Sequence, residues 1–306
     1  MIVFHYTDID NLAGILSATS RGNQRLVLKA KHRCFLNDDA QRTFGRYILP
    51  SCIAAIEEEL HVDPQMAVAP LFQQPGYLDF ILQGINVYDD HRQGLDSFVL
   101  SFSEDQDNPE LWDKRGSGGR GVALGFDTDK LQPDYERFVN VFREKCTYWS
   151  EDIKKPDFKL DSTSALYASI RATYKMMTDT RVIDSFNTIY GQEGPAAVVP
   201  QRIKDTLVQN IITTFDIFNK QDVWRNEKEY RISLSPLPVD IEFLKDSNGD
   251  YIPHTKVQFP VEALRMLVIG PKCGKNAYGM VKSLFMQRGV MQDVKVLDSA
   301  IHECLL

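Results

Sequence analysis

Glu227-Lys228-Glu229-Tyr230-Arg231 brings two carboxylates and a guanidinium into one short run. In an extended strand successive side chains alternate, so Glu227, Glu229, Arg231 and Ser233 would share one face. Lys228, Tyr230, Ile232 and Leu234 would share the other, the expected core face. Paired carboxylates raise each other's pKa, whereas a guanidinium beside them lowers it and orients them. Such a group stays ionised and rigidly held, which suits stabilising a cation better than general-base work. The same residues also describe a solvated edge strand whose alternating charges discourage aggregation. Taken alone, the run is compatible with both.

Other residues of chemical interest lie far upstream. Phe4-His5-Tyr6-Thr7 closes a short apolar strand, and Thr7 with Asp10 has the spacing of a capping box that would open a helix at Thr7. That helix N-terminus, with its free N–H groups, would offer a phosphate or carboxylate a partial positive charge beside His5 and Tyr6. His5 also reads as a hydrogen-bonded structural histidine. Ser101-Phe102-Ser103 ends a second β-prone run, Ser97 to Ser103. Asn37-Asp38 reads as the cap of a following helix, and Trp112 and Trp224 as packing residues. Gly116 to Gly121 matches G-x-G-x-x-G letter for letter, but it precedes a strand and lacks G-K-[ST], so it is not a dinucleotide fingerprint. It is expected to be a mobile hairpin, with Arg115 and Arg120 able to meet a phosphate.

The elements that must position these residues follow from patterning. Strands are expected at 2–6, 25–29, 97–103, 122–126, 138–148, 227–234, 265–269 and 293–297, and the all-apolar Val122-Ala123-Leu124-Gly125-Phe126 reads as a central one. Helices are expected over about 40–60, in short pieces near 65–69 and 78–82, from Asp107 with Pro109 in its first turn, and from Asn276 to Gln287 before Gly289. Residues 162–219 carry helical spacing and read as an insertion of about 160–219. The fold class is α+β, and 1–306 is expected to be a single composite domain.

Composition narrows the function classes. The chain of 306 residues carries a net charge of −7, so no general basic field draws it to nucleic acid. No run has the length and apolarity to cross a bilayer, and the start lacks a leader pattern, so a cytoplasmic protein without a membrane role is expected. Cys34, Cys52, Cys146, Cys273 and Cys304 are scattered without C-x-x-C spacing, and the six histidines form no H-E-x-x-H, so no metal is expected.

His5-Tyr6-Thr7, Ser101-x-Ser103 and Glu227-x-Glu229, in that order, resemble the three dispersed motifs of the ADP-ribosyltransferase superfamily in its histidine-type members. The opening Phe4 to Leu16, with Asn11-Leu12 and Ile15-Leu16, is the most specific part of that likeness. The chain also resembles an uncharacterised bacterial family, domain of unknown function 2971. The similar positions are His5-Tyr6-Thr7, Leu36-Asn37-Asp38, Ser101-Phe102-Ser103, Leu111-Trp112, Gly121 to Phe126, and Lys220-x-x-x-Trp224-x-x-Glu227-x-Glu229-x-Arg231. The likeness covers most of the chain except 160–215.

The resemblance implies a split β-sheet core of the ADP-ribosyltransferase type with helical insertions, NAD as the substrate cofactor, and catalysis by Glu229, Glu227 and His5. His5 would bond the ribose, Tyr6 or Tyr148 would pack on nicotinamide, and Ser101 and Ser103 would position the cofactor and the glutamate. Thr7, Asn11 and Arg231 complete the implied cofactor contacts. It further implies transfer of ADP-ribose to a protein or nucleic-acid acceptor by a toxin or defence effector, with a neutralising partner. Alternatives are an NAD glycohydrolase, a non-catalytic binding or regulatory module on the same fold, and a magnesium nuclease using the acidic pair.

Overall fold

β-Branched and aromatic residues dominate Ile2–Thr7, which forms strand β1. The computed structural model describes residues 1–20, 23–36, 45–64, 67–81, 97–149, 162–163, 165–179, 181, 183–184, 201, 204–205, 208–209, 212, 217–245, 249–290 and 294–301. After β1 come helix α1 (Asn11–Ile15), β2 (Thr19–Ser20), β3 (Asn23–His32), α2 (Gly45–Glu59), β4 (Phe98–Ser103), α3 (Pro109–Lys114), β5 (Val122–Asp127), β6 (Phe138–Lys145) and β7 (Thr147–Trp149). Then follow α4 (Ala165–Met177), β8 (Asn219–Gln221), β9 (Glu229–Pro236), β10 (Ile241–Lys245), β11 (Tyr251–Pro260), β12 (Leu264–Ile269), α5 (Ala277–Arg288) and β13 (Lys295–Asp298). The fold is α+β. Residues Met1–Leu36, Leu95–Cys146 and Val223–Leu306 form one unit, and Asn37–Gly94 with Thr147–Asp222 the other.

The first unit holds the large sheet, in the order β10-β11-β3-β4-β1-β5-β12-β13, with β9 paired to both β4 and β6. All pairs in it are antiparallel except β12 with β13, whose connection contains α5. At β4 the sheet divides. β9 runs along one edge from Phe98↔Leu234 to Ser103↔Glu229. The other edge is shared: β3 takes its start at Lys31↔Val99 and His32↔Phe98, and β1 takes its end at Phe4↔Ser103. Ser101 falls between the two.

The faces follow from register. Val3, Leu100, Phe102, Leu124, Tyr230 and Ile232 join Leu12 of α1 and Val281 and Phe285 of α5 in the main core. Phe4, Tyr6, Ala123 and Val268 form a smaller core on the opposite face, covered by Leu111 and Trp112 of α3. Gly125 is required there, because a Cβ would lie 2.7 Å from the Phe4 ring and 2.6 Å from Met266. In the second unit α2 and α4 pack through Ile53, Ile56, Ile170 and Tyr174, and β7 pairs in parallel with β8.

Several expectations are corrected. Thr7 ends β1 and does not open a helix; α1 starts at Asn11, its N-cap Asp10 makes no side-chain cap, and Asp8 Oδ1 instead accepts from Asp10 N at 2.9 Å. One helical turn is too short to act as the expected anion site. The stretch 138–148 is two strands separated by Cys146, whose N–H donates to Glu229 O at 2.8 Å. Gly116 to Gly121 joins α3 to β5 and is a packed turn, not a hairpin. A Cβ on Gly116 would lie 2.5 Å from Trp112 and one on Gly121 only 2.2 Å from Thr7 O. β10 and β11 have no counterpart among the expected strands, although Thr255, Val257 and Phe259 are buried between exposed or half-buried polar neighbours. Leu36 is described, whereas Asn37-Asp38 lie outside the described residues, as does 40–44 of the expected helix.

Candidate functional site

β9 is an interior strand, paired on both sides by β4 and β6 and buried almost throughout. That removes the edge-strand reading of its charges. Glu229 and Arg231 face the same side and are each 1% exposed, with Arg231 Nη2 donating to Glu229 Oε2 at 3.0 Å and Nε 2.9 Å from Oε1. Glu227 does not belong to the strand. It ends the 3-10 turn Asp222–Glu227, and Lys228 then takes φ 44°, a left-handed conformation rare outside glycine. This bend carries Lys228 out to solvent against Asp105 rather than into the core, the position alternation had suggested. It also returns Glu227, buried to 4% exposure, to the side where Glu229 lies.

Two cations from the end of α3 reach this acid pair. Arg115 Nη2 is 3.4 Å from Glu227 Oε2, and Arg115 Nη1 is 3.7 Å from Glu229 Oε1. Lys114 Nζ is 3.9 Å from Glu227 and lies 4.2 Å from the centre of the Trp224 ring. The start of α3 is fixed by Asn108, whose Oδ1 accepts from Glu110 N and Leu111 N while its Nδ2 donates to Asn226 O at 2.8 Å. One cap thus ties the helix to the turn that carries Glu227.

Arg115, Glu227 and Glu229 line a small recess with Phe4, Tyr6, Ser101, Phe102, Ser103 and Leu111. Ser103 Oγ donates to Glu227 O at 2.7 Å and accepts from Asp105 N at 3.0 Å. Tyr6 stands edge-on to Trp112, and its hydroxyl donates to Asp105 O and accepts from Asn108 N, so it builds the wall of the recess. Burial pushes its phenol well above the ordinary range, so it remains a donor. Trp112 is fully buried and donates to Asp107, whose carboxylate also holds Ser299 and Ala300.

His5 is not among the residues lining the recess. It pairs with Leu124 in register, on the face opposite Phe4 and Ser103, with its ring 5.6 Å from Phe102. Its Nδ1 is 3.1 Å from Ser101 O, the carbonyl on the β4 edge between β3 and β1. A carbonyl only accepts, so Nδ1 carries the proton, and burial lowers the imidazole pKa further toward the neutral form. Asparagine at position 5 can set an amide donor where Nδ1 stands, whereas glutamine reaches further out. His5→Asn should therefore unfold in urea close to wild type, and His5→Gln should lose about 1–3 kcal/mol for a stranded carbonyl. Because the folded-state pKa is lowered, this contribution is present above the unfolded value of about 6.5 and is lost as pH falls through the folded pKa. His5→Asn should remove that acid sensitivity. Glutamine matching wild type while asparagine fails would sink the assignment.

Thr7 Oγ1 accepts from the amide of exposed Asn11 at 3.1 Å, which makes the two a local pair outside the recess lining. Tyr148 belongs to the second unit, opposite Lys220 in the β7–β8 pair. Ser101, Ser103, Tyr6, Glu227 and Glu229 are brought together, with Arg231 beneath them. Arg115, legible in the sequence only as a residue able to meet a phosphate, is the cation that joins Glu227 and Glu229. Among the described residues no group of three His, Cys, Asp or Glu is arranged to hold a metal ion, and no helix is long and apolar enough to cross a membrane.

With this geometry in hand, one comparison bears on kinship. Residues 111–232 match the family model described as Protein of unknown function (DUF2971). The matched segment includes Arg115, Glu227, Glu229 and Arg231, but neither β1 nor β4. It runs through 160–215, the stretch expected to fall outside the likeness. No curated protein and no solved structure matches the chain.

Proposed function

We propose that the Glu227–Glu229 recess cleaves NAD and transfers its ADP-ribose to a macromolecular acceptor. The observation that carries this reading is the burial of both carboxylates beside a recess, with Glu229 held rigid by Arg231. As the bond from ribose C1′ to nicotinamide nitrogen breaks, nicotinamide leaves as a neutral molecule and positive charge develops on the ribose. A fixed anion at that point stabilises the charge without having to reorganise. The acceptor nucleophile forms the new bond to C1′, and its proton passes to Glu227 or to water. Ser103 secures the backbone at Glu227, Tyr6 and Phe4 wall the recess, and His5 acts from the other face by holding β4 at Ser101.

The enclosed free space of the recess is about 10 Å3, room for a single water, far below the roughly 300–1,000 Å3 of sites that engulf drug-sized ligands. Binding of NAD would therefore require Arg115 and other wall residues to shift before the ribose reaches Glu229, with the adenosine end lying along open surface. A toxin or defence effector with a neutralising partner is the biological setting in keeping with this chemistry.

The close Arg231–Glu229 pair also favours a second reading, in which the cluster is a structural element of a non-catalytic binding module. Purified protein incubated with NAD separates the two. Release of nicotinamide together with label transferred from NAD to a macromolecule in cell extract is the expected result. Release without labelling would assign NAD hydrolysis, with water as the acceptor. Neither release nor NAD binding by calorimetry would leave the binding-module reading.

A further inference from the structure

The two arginines that meet the acid pair are held very differently. Arg231 is 1% exposed and closes on Glu229 at 2.9 and 3.0 Å. Arg115 is 35% exposed and approaches Glu227 and Glu229 only to 3.4 and 3.7 Å, beyond the roughly 2.7–2.9 Å of a strong charge-assisted bond. One is a built-in counter-ion, the other a loosely docked one. Lys114 has other company in Glu110 and the Trp224 ring, so it does not substitute for Arg115 over Glu229.

We propose that Arg115 is the diphosphate-binding residue of the site and a displaceable ionic latch over Glu227 and Glu229. This rests on the reading of the recess as an NAD site and deepens it. A guanidinium fork fits a phosphate as well as a carboxylate, and phosphate oxygens offer it shorter, better aligned bonds than the long contacts it now makes. NAD carries a cationic pyridinium ring at one end of its ribose and a diphosphate at the other. When the diphosphate draws Arg115 away, the more distant Lys114 is the α3 cation left near Glu227, and the acid pair is exposed to the cationic end of the same ligand. The negative part of the substrate thereby uncovers the charge that its positive part requires. Without ligand, Arg115 helps to neutralise the pair and limits the cost of buried charge.

The test uses inorganic pyrophosphate as a calorimetric probe alongside steady-state nicotinamide release. Arg115→Gln should weaken pyrophosphate binding at least tenfold and raise KM for NAD by a similar factor. Arg115→Lys, a point charge without the fork, should fall between Gln and wild type. Glu227→Gln weakens the latch, so it should tighten pyrophosphate binding several-fold; this keeps the proposal testable should Arg115 variants fold poorly. Pyrophosphate affinity unchanged in Arg115→Gln, or lowered in Glu227→Gln, overturns the proposal, as does a wild type that ignores pyrophosphate. If NAD is turned over while Arg115→Gln leaves both KM and pyrophosphate binding unchanged, the NAD reading stands and the latch alone fails. Arg115-dependent pyrophosphate binding without NAD turnover supports the anion site and removes the NAD reading with the latch's catalytic purpose.

Discussion

Glu229→Gln should slow nicotinamide release from NAD by roughly 10²–10³, the effect of removing one preorganised electrostatic group from a transition state. The change is close to isosteric. The substituted amide would retain an oxygen to accept from Arg231, so the fold and ligand affinity should survive, and the loss should appear in kcat with KM little altered. Urea unfolding of the same preparation guards against a trivial explanation. Because removing the carboxylate leaves the Arg231 charge buried beside a neutral partner, a loss of stability of up to about 3 kcal/mol is expected, softened by the hydrogen bond that the amide oxygen still accepts. A variant that is fully folded and undiminished in rate would show that Glu229 serves structure alone.

The largest effect on stability is expected at Arg231. Arg231→Met takes from buried Glu229 its closest cation and leaves Arg115 at 3.7 Å, and breaking a buried pair in this way costs about 3–5 kcal/mol. For a domain of ordinary stability that is a large fraction of the total. The penalty comes from the orphaned charge rather than from lost attraction, so the double variant Glu229→Leu with Arg231→Met should recover most of it. Chemical denaturation of both variants checks the sign. If the double variant is no more stable than the single one, the Glu229 charge is not the source of the loss. The same double variant should be catalytically dead under the NAD reading, which separates what the pair does for the fold from what it does for the reaction.

Much of the framework can be read directly from residue patterns. β1, β4, β5 and β12 are strands because their runs are apolar and β-branched, and α3 and α5 start and stop where Pro109 and Gly289 permit. The site is harder. The charges of Glu227 to Arg231 look the same in a solvated edge strand and in an interior one, and only pairing by both β4 and β6 decides between them. The turn at Lys228 uses a positive φ without glycine, so no letter announces it. His5 has a legible type and an illegible direction: its face depends on register with β5 and on the division of the sheet at β4, both long-range facts. β10 and β11 are not legible because Pro253 interrupts, and Pro260 ends, a run whose alternation is otherwise regular. Arg115 is legible as a phosphate contact but not as a partner of the acid pair, because its partners lie more than a hundred residues downstream; for Glu227 the separation is 112.

Ser103 and the backbone at Glu227 that receives its hydroxyl are 124 residues apart in the chain. During synthesis β4 emerges early, yet the edge it offers to β9 has no such partner until β9 has been made. The recess, which needs the wall from β1, the serines of β4 and the acids at 227 and 229, is therefore complete only once the non-local pairing of β4 with β9 has formed. A nascent or prematurely terminated chain ending before Glu229 carries no acid pair at all. Any chemistry that depends on the recess must therefore wait until β9 has left the ribosome.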